Sequence, residues 1–154
     1  ADIHLKAIDG GSAVSARAKS FDCFHNAQDQ AMREFLKTFK HVNWGWRTTS
    51  PFSQAVAVGD QVFISGQQAL SPDGEIVAPG DIAAQTRCVF ENMKAVLGQA
   101  GLELSDLVRL NTYYVFDGAD EDATASWEAM TRVRLEYFPI PGPAATAVRI
   151  KGMP

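Results

Sequence analysis

The chain has 154 residues, a formal net charge of −4 and a hydrophobic fraction of 46%. This length suits one domain with a sizeable core, and the composition is typical of soluble globular proteins. The acidic balance argues against the basic surface that nucleic-acid-binding proteins carry. Cys23 and Cys88 are too few for a disulfide framework, and no apolar run reaches the length of about 20 residues that spans a bilayer. We therefore expect a cytoplasmic protein that binds neither nucleic acid nor membrane.

The first 47 residues combine a strand signal with a helix signal. Residues 2–8 alternate polar and apolar side chains, as a half-buried strand does. Apolar residues recur with helical spacing over residues 27–39, and Asn26 is a suitable N-cap. Residues 42–47 are short and aromatic, which fits either an edge strand or a loop that closes over a site.

From residue 53 onward, strand signals alternate with helix signals. The pattern predicts strands over 53–58, 61–65, 108–116 and 145–150, and helices over 82–100 and 123–138. This is an α+β pattern, with one mixed sheet and two main helices packed on one of its faces. Because the opposite face of such a sheet needs covering, the pattern also favours an oligomer.

Six short motifs occur in a distinctive order and spacing. They are SPFSQAV at 50–56, FISGQ at 63–67, PDGEIV at 72–77, ENMKAVL at 91–97, VRLNTYYVF at 108–116 and PGPAATAV at 141–148. Over residues 48–154 the chain therefore resembles the Rid (YjgF/YER057c/UK114) family of imine and enamine deaminases. The resemblance implies a chorismate-mutase-like fold and a homotrimer with small-molecule pockets in the clefts between subunits. It also implies hydrolysis of a reactive imine or enamine to a carbonyl compound and ammonia, without metal or organic cofactor.

The two ends of the chain suggest a circular permutation of this family. Family chains continue with one more strand where this sequence stops, and residues 1–8 resemble that strand. The single domain 1–154 would then comprise a strand at 1–8, a connecting segment at 9–47 with an extra N-terminal helix, and a family-like core at 48–154. Permutation predicts that residues 2–8 lie beside 145–150 in the sheet. The alternative is a chance match of a short strand, with the true C-terminus lost.

Three positions of the implied pocket depart from the family pattern. Ala145 stands where the family has an arginine that binds the substrate carboxylate, and Phe52 stands where it has a tyrosine. If residues 1–8 form the last family strand, His4 stands where many members have a glutamate that positions the attacking water. Without the arginine fork the pocket loses bidentate recognition of a carboxylate, so carboxylate-bearing imines are less favoured substrates.

The resemblance also places further residues near the substrate. Ser65, Gly66, Asn111 and Thr146 would contact it, although Ser65 and Gly66 equally suit a tight strand end. His4 would act as a general base, the alternative being an ordinary strand histidine that faces solvent.

Two further features carry charge or aromatic surface. Strand alternation puts Arg149 on the same face as Ala145, where it would restore a positive charge or form a surface ion pair. Trp46, with its neighbours Trp44 and Arg47, would close over a planar ligand or simply cover the sheet edge.

Two functions fit these residues. The first is a cofactor-free hydrolase that deaminates an imine, enamine or related small metabolite, and the second is an inactive trimeric binding or regulatory protein. No metal site is expected, because Cys23 and His25 have no third ligand nearby in the sequence. The loss of three pocket groups favours the binding protein. The enzyme is the interpretation adopted, because the pocket residues are exchanged and not uniformly reduced to small apolar side chains.

Overall fold

A computed structural model describes residues 3–5, 37–40, 42, 44 and 52–152. The strands are β1 (Ile3–Leu5), β2 (Lys37–Lys40), β3 (Ala55–Val58), β4 (Gln61–Ile64), β5 (Gln67–Gln68), β6 (Arg109–Val115) and β7 (Ala144–Ile150). The helices are α1 (Ile82–Gly98) and α2 (Asp120–Tyr137), with a short 3-10 helix at Leu104–Asp106 between α1 and β6. The α+β class and the two main helices are confirmed.

The predicted helix over residues 27–39 is wrong at its end. Residues 37–40 form β2, which pairs antiparallel with β3, Lys40 lying opposite Ala55. Backbone pairing along β3 prevails over the helical spacing of the apolar residues, because tertiary context routinely overrides a local pattern. The rest of that predicted helix, with Asn26, lies outside the described residues.

The strands form two sheets where the sequence predicts one. One sheet is antiparallel, in the order β2-β3-β4, and the other has the order β5-β1-β6-β7. The chain passes from one to the other at Ser65 and Gly66, between β4 and β5. Ser65 still donates its backbone N–H to the carbonyl of Gln54, at 2.8 Å, and the next strand residues pair with β1 instead.

Strand β1 lies in the middle of the second sheet. His4 is opposite Gln68 on one side and Tyr113 on the other, and both pairings are antiparallel. For residues 3–5, the described part of residues 2–8, the prediction that they lie beside 145–150 is therefore wrong, since β6 separates β1 from β7. The β6-α2-β7 crossover places β7 parallel to β6 on its outer side, which leaves the inner side for β1. The permutation stays a prediction without the pairing expected of it.

Helix α1 supplies the centre of the hydrophobic core. The helix predicted over 82–100 is confirmed, and its buried apolar residues are Ile82, Val89, Phe90, Met93, Val96 and Leu97. The Phe90 ring lies 5.0 Å from that of Tyr137 and 5.2 Å from that of Phe138, which joins α1 to the end of α2. Asp81 caps α1 by accepting from the N–H groups of Ala83 and Ala84.

Side chains of β6 alternate between the helices and an uncovered face. Leu110, Thr112 and Tyr114 are buried beneath α2, whereas Asn111 and Tyr113 are half-buried on the other side. In the described part of the chain, both helices therefore cover the same face of this strand. None of the helices described there combines the length and apolarity that a membrane span requires.

Two leucines test the core. Leu97 on α1 is fully buried, and Leu135 on α2 is 59% exposed. We expect Leu97→Ala to lower the free energy of unfolding by about 3 kcal/mol, because it removes buried methyl groups and leaves a cavity. The matched Leu135→Ala should cost about 0.5 kcal/mol or less. Urea unfolding at one fixed protein concentration measures both, and equal losses would contradict this core.

Candidate functional site

The first group of predicted residues lies where the two sheets meet. The Ser65 hydroxyl donates to the carbonyl of Ser53 at 2.5 Å, which holds the segment before β3 against the β4–β5 junction. Phe52 precedes this contact and is 78% exposed. The structure thus brings Phe52, Ser65 and Gly66 together. Part of the role of Ser65 is structural, since its hydroxyl fixes the strand end.

The second group lies on the uncovered face of β6 and β7. Asn111 is opposite Thr146 in the parallel pairing, and Arg109 donates to the Thr146 hydroxyl at 3.4 Å. The Asn111 Oδ1 and Arg109 Nε atoms are buried, yet neither has a hydrogen-bond partner among the described residues. Buried polar atoms without partners are costly, so another group is expected to contact this face. Sequence reasoning missed Arg109, although its spacing of two from Asn111 puts both on one face.

The third group lies on the helix side of β7. Ala145 and Arg149 are opposite Leu110 and Tyr114, so both share the face that α2 covers. The prediction that Arg149 and Ala145 lie on one face is confirmed. Ala145 and its neighbour Thr146 point to opposite faces of β7. Within one chain, the third group of residues is therefore separated from the second group by the sheet.

Arg149 is held by the loop after β6. Its Nε and Nη2 atoms donate to the carbonyls of Phe116 and Gly118, at 3.1 and 3.2 Å, and its guanidinium lies 5.2 Å from the Phe116 ring. A Cβ at Gly118 would lie 2.5 Å from that ring, so a larger residue there would require the Phe116 side chain to move. Four strand residues span about 13 Å, so Arg149 does not restore the charge at Ala145.

An open cavity of about 530 Å³ lies beside Arg149. Its lining residues are Phe116, Asp117, Arg149, Ile150 and Lys151. They carry one acidic and two basic side chains at the ends of β6 and β7, and none belongs to the other two groups.

Arg134 on α2 is not among the site residues that the sequence predicted. It donates to the hydroxyl of the fully buried Thr112 at 2.6 Å, and its guanidinium lies 4.9 Å from the Trp127 ring. Burial lowers the pKa of Arg134, and nearby Tyr114 acts in the opposite direction. An arginine within the apolar stripe of a helix is the sequence signal that could have marked it as functional.

The remaining predicted residues are described only in part or not at all. The backbone of His4 lies at the centre of the second sheet, and Trp46, Arg47, Cys23 and His25 lie outside the described residues. Trp44 is half-buried and packs against the core, as expected of a residue that covers a sheet.

Metal-binding and thiol chemistry find little support in the described part of the chain. No cluster of three or more histidine, cysteine or acidic side chains occurs there that would hold a metal ion. Cys88 is half-buried, and burial raises the pKa of its thiol against a smaller opposing effect of Asn92. A raised thiol pKa makes Cys88 a poor nucleophile.

The architecture and these residue groups define a known class of proteins. The family model described as Endoribonuclease L-PSP matches residues 46–154. The chain belongs to this family, which is the Rid family that the motifs indicate.

Three relatives align over similar shares of the chain. A RutC family protein of Pyrococcus abyssi is 38% identical over 104 residues, which are 68% of this chain and 76% of that protein. The 3-aminoacrylate deaminase RutC of Acinetobacter baylyi is 36% identical over 101 residues, 66% of this chain and 75% of the relative. The 2-iminobutanoate/2-iminopropanoate deaminase of Dermatophagoides farinae is 34% identical over 104 residues, 68% of this chain and 76% of the relative.

Solved structures agree with this assignment. YyfA of Yersinia pestis, a Rid family protein, superposes with a TM-score of 0.67 and 26% identity, covering 77% of this chain and 90% of that one. A Thermotoga maritima protein gives a TM-score of 0.66 and 31% identity, covering 77% and 88% respectively.

The contacts of Arg149 predict a stability effect. Arg149→Met removes two hydrogen bonds from a charged donor, so we expect a loss of about 1 kcal/mol. Lys151→Met is the control, since Lys151 lines the same cavity without donating to these carbonyls within the described residues. Thermal unfolding compares the two variants, and equal melting temperatures would contradict a structural role for Arg149.

Proposed function

We propose that this protein is an enzyme that hydrolyses the C–N bond of a small imine or enamine, releasing a carbonyl compound and ammonia. The observation that carries the proposal is the match to two proteins named as deaminases. Each aligns over about two thirds of this chain, and the family model covers residues 46–154. One is named for an enamine substrate and the other for imines, so a C–N bond next to an electrophilic carbon is the shared chemistry.

The reaction needs water, a proton acceptor and a group that polarises the substrate. Water adds to the imine carbon, the nitrogen takes up a proton, and ammonia leaves as the carbonyl forms. We assign proton transfer to His4 or to a backbone-held water, because an imidazole titrates near neutral pH. A backbone N–H at Ala145 or Thr146 would polarise the substrate, as fixed amide donors do for developing charge.

We further propose a homotrimer with its sites between subunits. The uncovered face of β6 and β7 carries Val148, which is 40% exposed, and the half-buried Tyr113, and Phe63 on β4 of the other sheet is 39% exposed. The uncovered face also carries the unpartnered Arg109 Nε and Asn111 Oδ1 atoms. A neighbouring subunit would cover the apolar side chains, supply partners for these atoms and add residues to the site.

The substrate would be recognised differently from the family pattern at β7. Ala145 gives this strand a methyl group where the family pattern has an arginine. The strand itself therefore has no guanidinium that could bind a carboxylate. The exposed Phe52 would instead provide an apolar wall near Ser65 and Gly66.

Ammonia release tests the enzymatic proposal. We expect the protein to accelerate ammonia release from at least one member of a panel of neutral and carboxylate-bearing imines and enamines, generated in the assay. His4→Ala should lower kcat/KM about 100-fold, as removal of a general base does. His25→Ala is the control and should match the unchanged protein. Release from no member of the panel would favour the binding protein over the enzyme.

Light scattering after size exclusion tests the trimer. We expect a mass near three times the chain mass of 16.7 kDa. Val148→Asp puts a charge on the uncovered face and should shift the mass toward the monomer. Leu135→Asp, on the exposed side of α2, should leave the mass unchanged. A monomeric unchanged protein would overturn the assembly.

A further inference from the structure

A charged cavity opens at the carboxyl ends of β6 and β7, on the helix side of the sheet. Arg149 is opposite Tyr114 in the parallel pairing, and Phe116 and Lys151 each follow two residues further along the chain. The cavity has a volume of about 530 Å³, which lies within the range of small-molecule sites. Because two neighbouring parallel strands both end here, the space outside their ends suits a bound ligand.

Opposite charges line this cavity without pairing across it. Asp117 and Lys151 are both exposed, and neither forms an ion pair or a side-chain hydrogen bond with another described residue. By contrast, the exposed Arg87 side chain pairs with Glu136 between the two helices. Since Asp117 and Lys151 face one cavity but stay apart, a ligand between them can contact both.

The guanidinium of Arg149 is fixed in the cavity wall. Its Nε and Nη2 atoms donate to the carbonyls of Phe116 and Gly118, and it lies over the Phe116 ring. Because carbonyl groups bear no net charge, these contacts orient the guanidinium without cancelling its positive charge. A side chain that is already ordered loses little conformational entropy on binding, which favours recognition of an anionic group.

The three charges select a ligand with two anionic groups and one cationic group. Arg149 and Lys151 are positive and Asp117 is negative, so a ligand that complements all three has a single net negative charge. Two residues of extended chain, from Arg149 to Lys151, span about 7 Å. The carboxylate carbons of an extended five-carbon dicarboxylate lie about 5 Å apart, within reach of both cations. Phosphate fits less well, because the Asp117 carboxylate repels a dianion that brings no positive charge.

We propose that Arg149, Lys151 and Asp117 form a binding site for an acidic α-amino acid, here called the strand-end site. The guanidinium and the lysine ammonium group hold the two carboxylates, and Asp117 accepts hydrogen bonds from the α-ammonium group of the ligand. The apolar side chains of the cavity contact its methylene groups. The site lies about 13 Å along β7 from Ala145, so this inference goes beyond the proposed function and does not depend on it.

Binding of L-glutamate tests the site without requiring turnover. The readout is the NMR signal of the Gly152 amide next to Lys151, assigned with Gly152→Ala, since a Cβ there meets no atom within 4 Å. Because all three charges are exposed, we expect a Kd on the order of 1 mM that weakens with added salt. Lys151→Met should raise this Kd about fivefold, whereas Lys151→Arg should leave it unchanged. Lys94→Met on α1 is the matched control and should bind like the unchanged protein.

Matched ligands test the role of Asp117. Glutarate has the same two carboxylates as L-glutamate but lacks the α-ammonium group, so it should bind the unchanged protein about fivefold more weakly. Asp117→Asn should abolish this preference, because asparagine neither attracts an ammonium group nor repels a dianion. L-Glutamine lacks one carboxylate and should bind more weakly than L-glutamate, with a smaller difference in Lys151→Met. Circular dichroism verifies that each variant is folded.

The outcomes separate this site from the proposed function. No binding of L-glutamate, an unchanged Kd in Lys151→Met, or equal Kd values for L-glutamate and glutarate in the unchanged protein would each overturn the strand-end site. Phosphate binding as tight as that of L-glutamate would also overturn it. Lys151-dependent binding of L-glutamate by a protein that releases no ammonia would support the site while the proposed function fails. Ammonia release by a protein that does not bind L-glutamate would have the reverse meaning.

Discussion

The alternation of side chains along β6 is the constraint on which the rest of the molecule depends. One row of its residues meets the helices, and the other row meets whatever covers the opposite face. Since β7 runs parallel to β6 in fixed register, its residues divide in the same way. The alternation therefore decides that Thr146 belongs with Arg109 and Asn111, while Ala145 belongs with Arg134. Ala145 and Thr146 are adjacent in the sequence, yet their side chains therefore lie in different surroundings.

The sequence predicted the elements whose signals are local. Helix α1, strands β3 and β4, and the β6-α2-β7 unit all depend on periodicity within one segment, and the structure contains each of them. The failures concern pairing between distant segments. Residues 37–40 have helical spacing but pair with β3, and residues 3–5 enter the sheet between β5 and β6 instead of beside β7. In neither case does the sequence of the segment itself specify the strand with which it pairs.

The candidate site was predictable only where it follows the strand pattern. Asn111 and Thr146 do lie opposite each other, and Arg149 does share a face with Ala145. What periodicity does not reveal is which polar group each cation meets. Arg149 is tied to the carbonyls of Phe116 and Gly118, whereas Arg134 donates to the Thr112 hydroxyl and the Met130 sulfur and lies over the Trp127 ring. This distribution of partners, which only the structure shows, separates a cation held by backbone carbonyls from one packed against side chains.

The central place of β1 has a consequence for the order of folding. Ile3 pairs with Tyr114, and Leu5 pairs with Gln67, so the earliest residues of the chain contact two segments made much later. During synthesis, β5 can pack against α1 before β6 has been made. The sheet is complete only after residues 109–115 have emerged and joined it. Contacts so far apart in the sequence slow folding, because the loop must close before the strand gains its hydrogen bonds. Until then β1 lacks its β6 partner and presents an unpaired edge, which is the kind of surface that favours association with other chains.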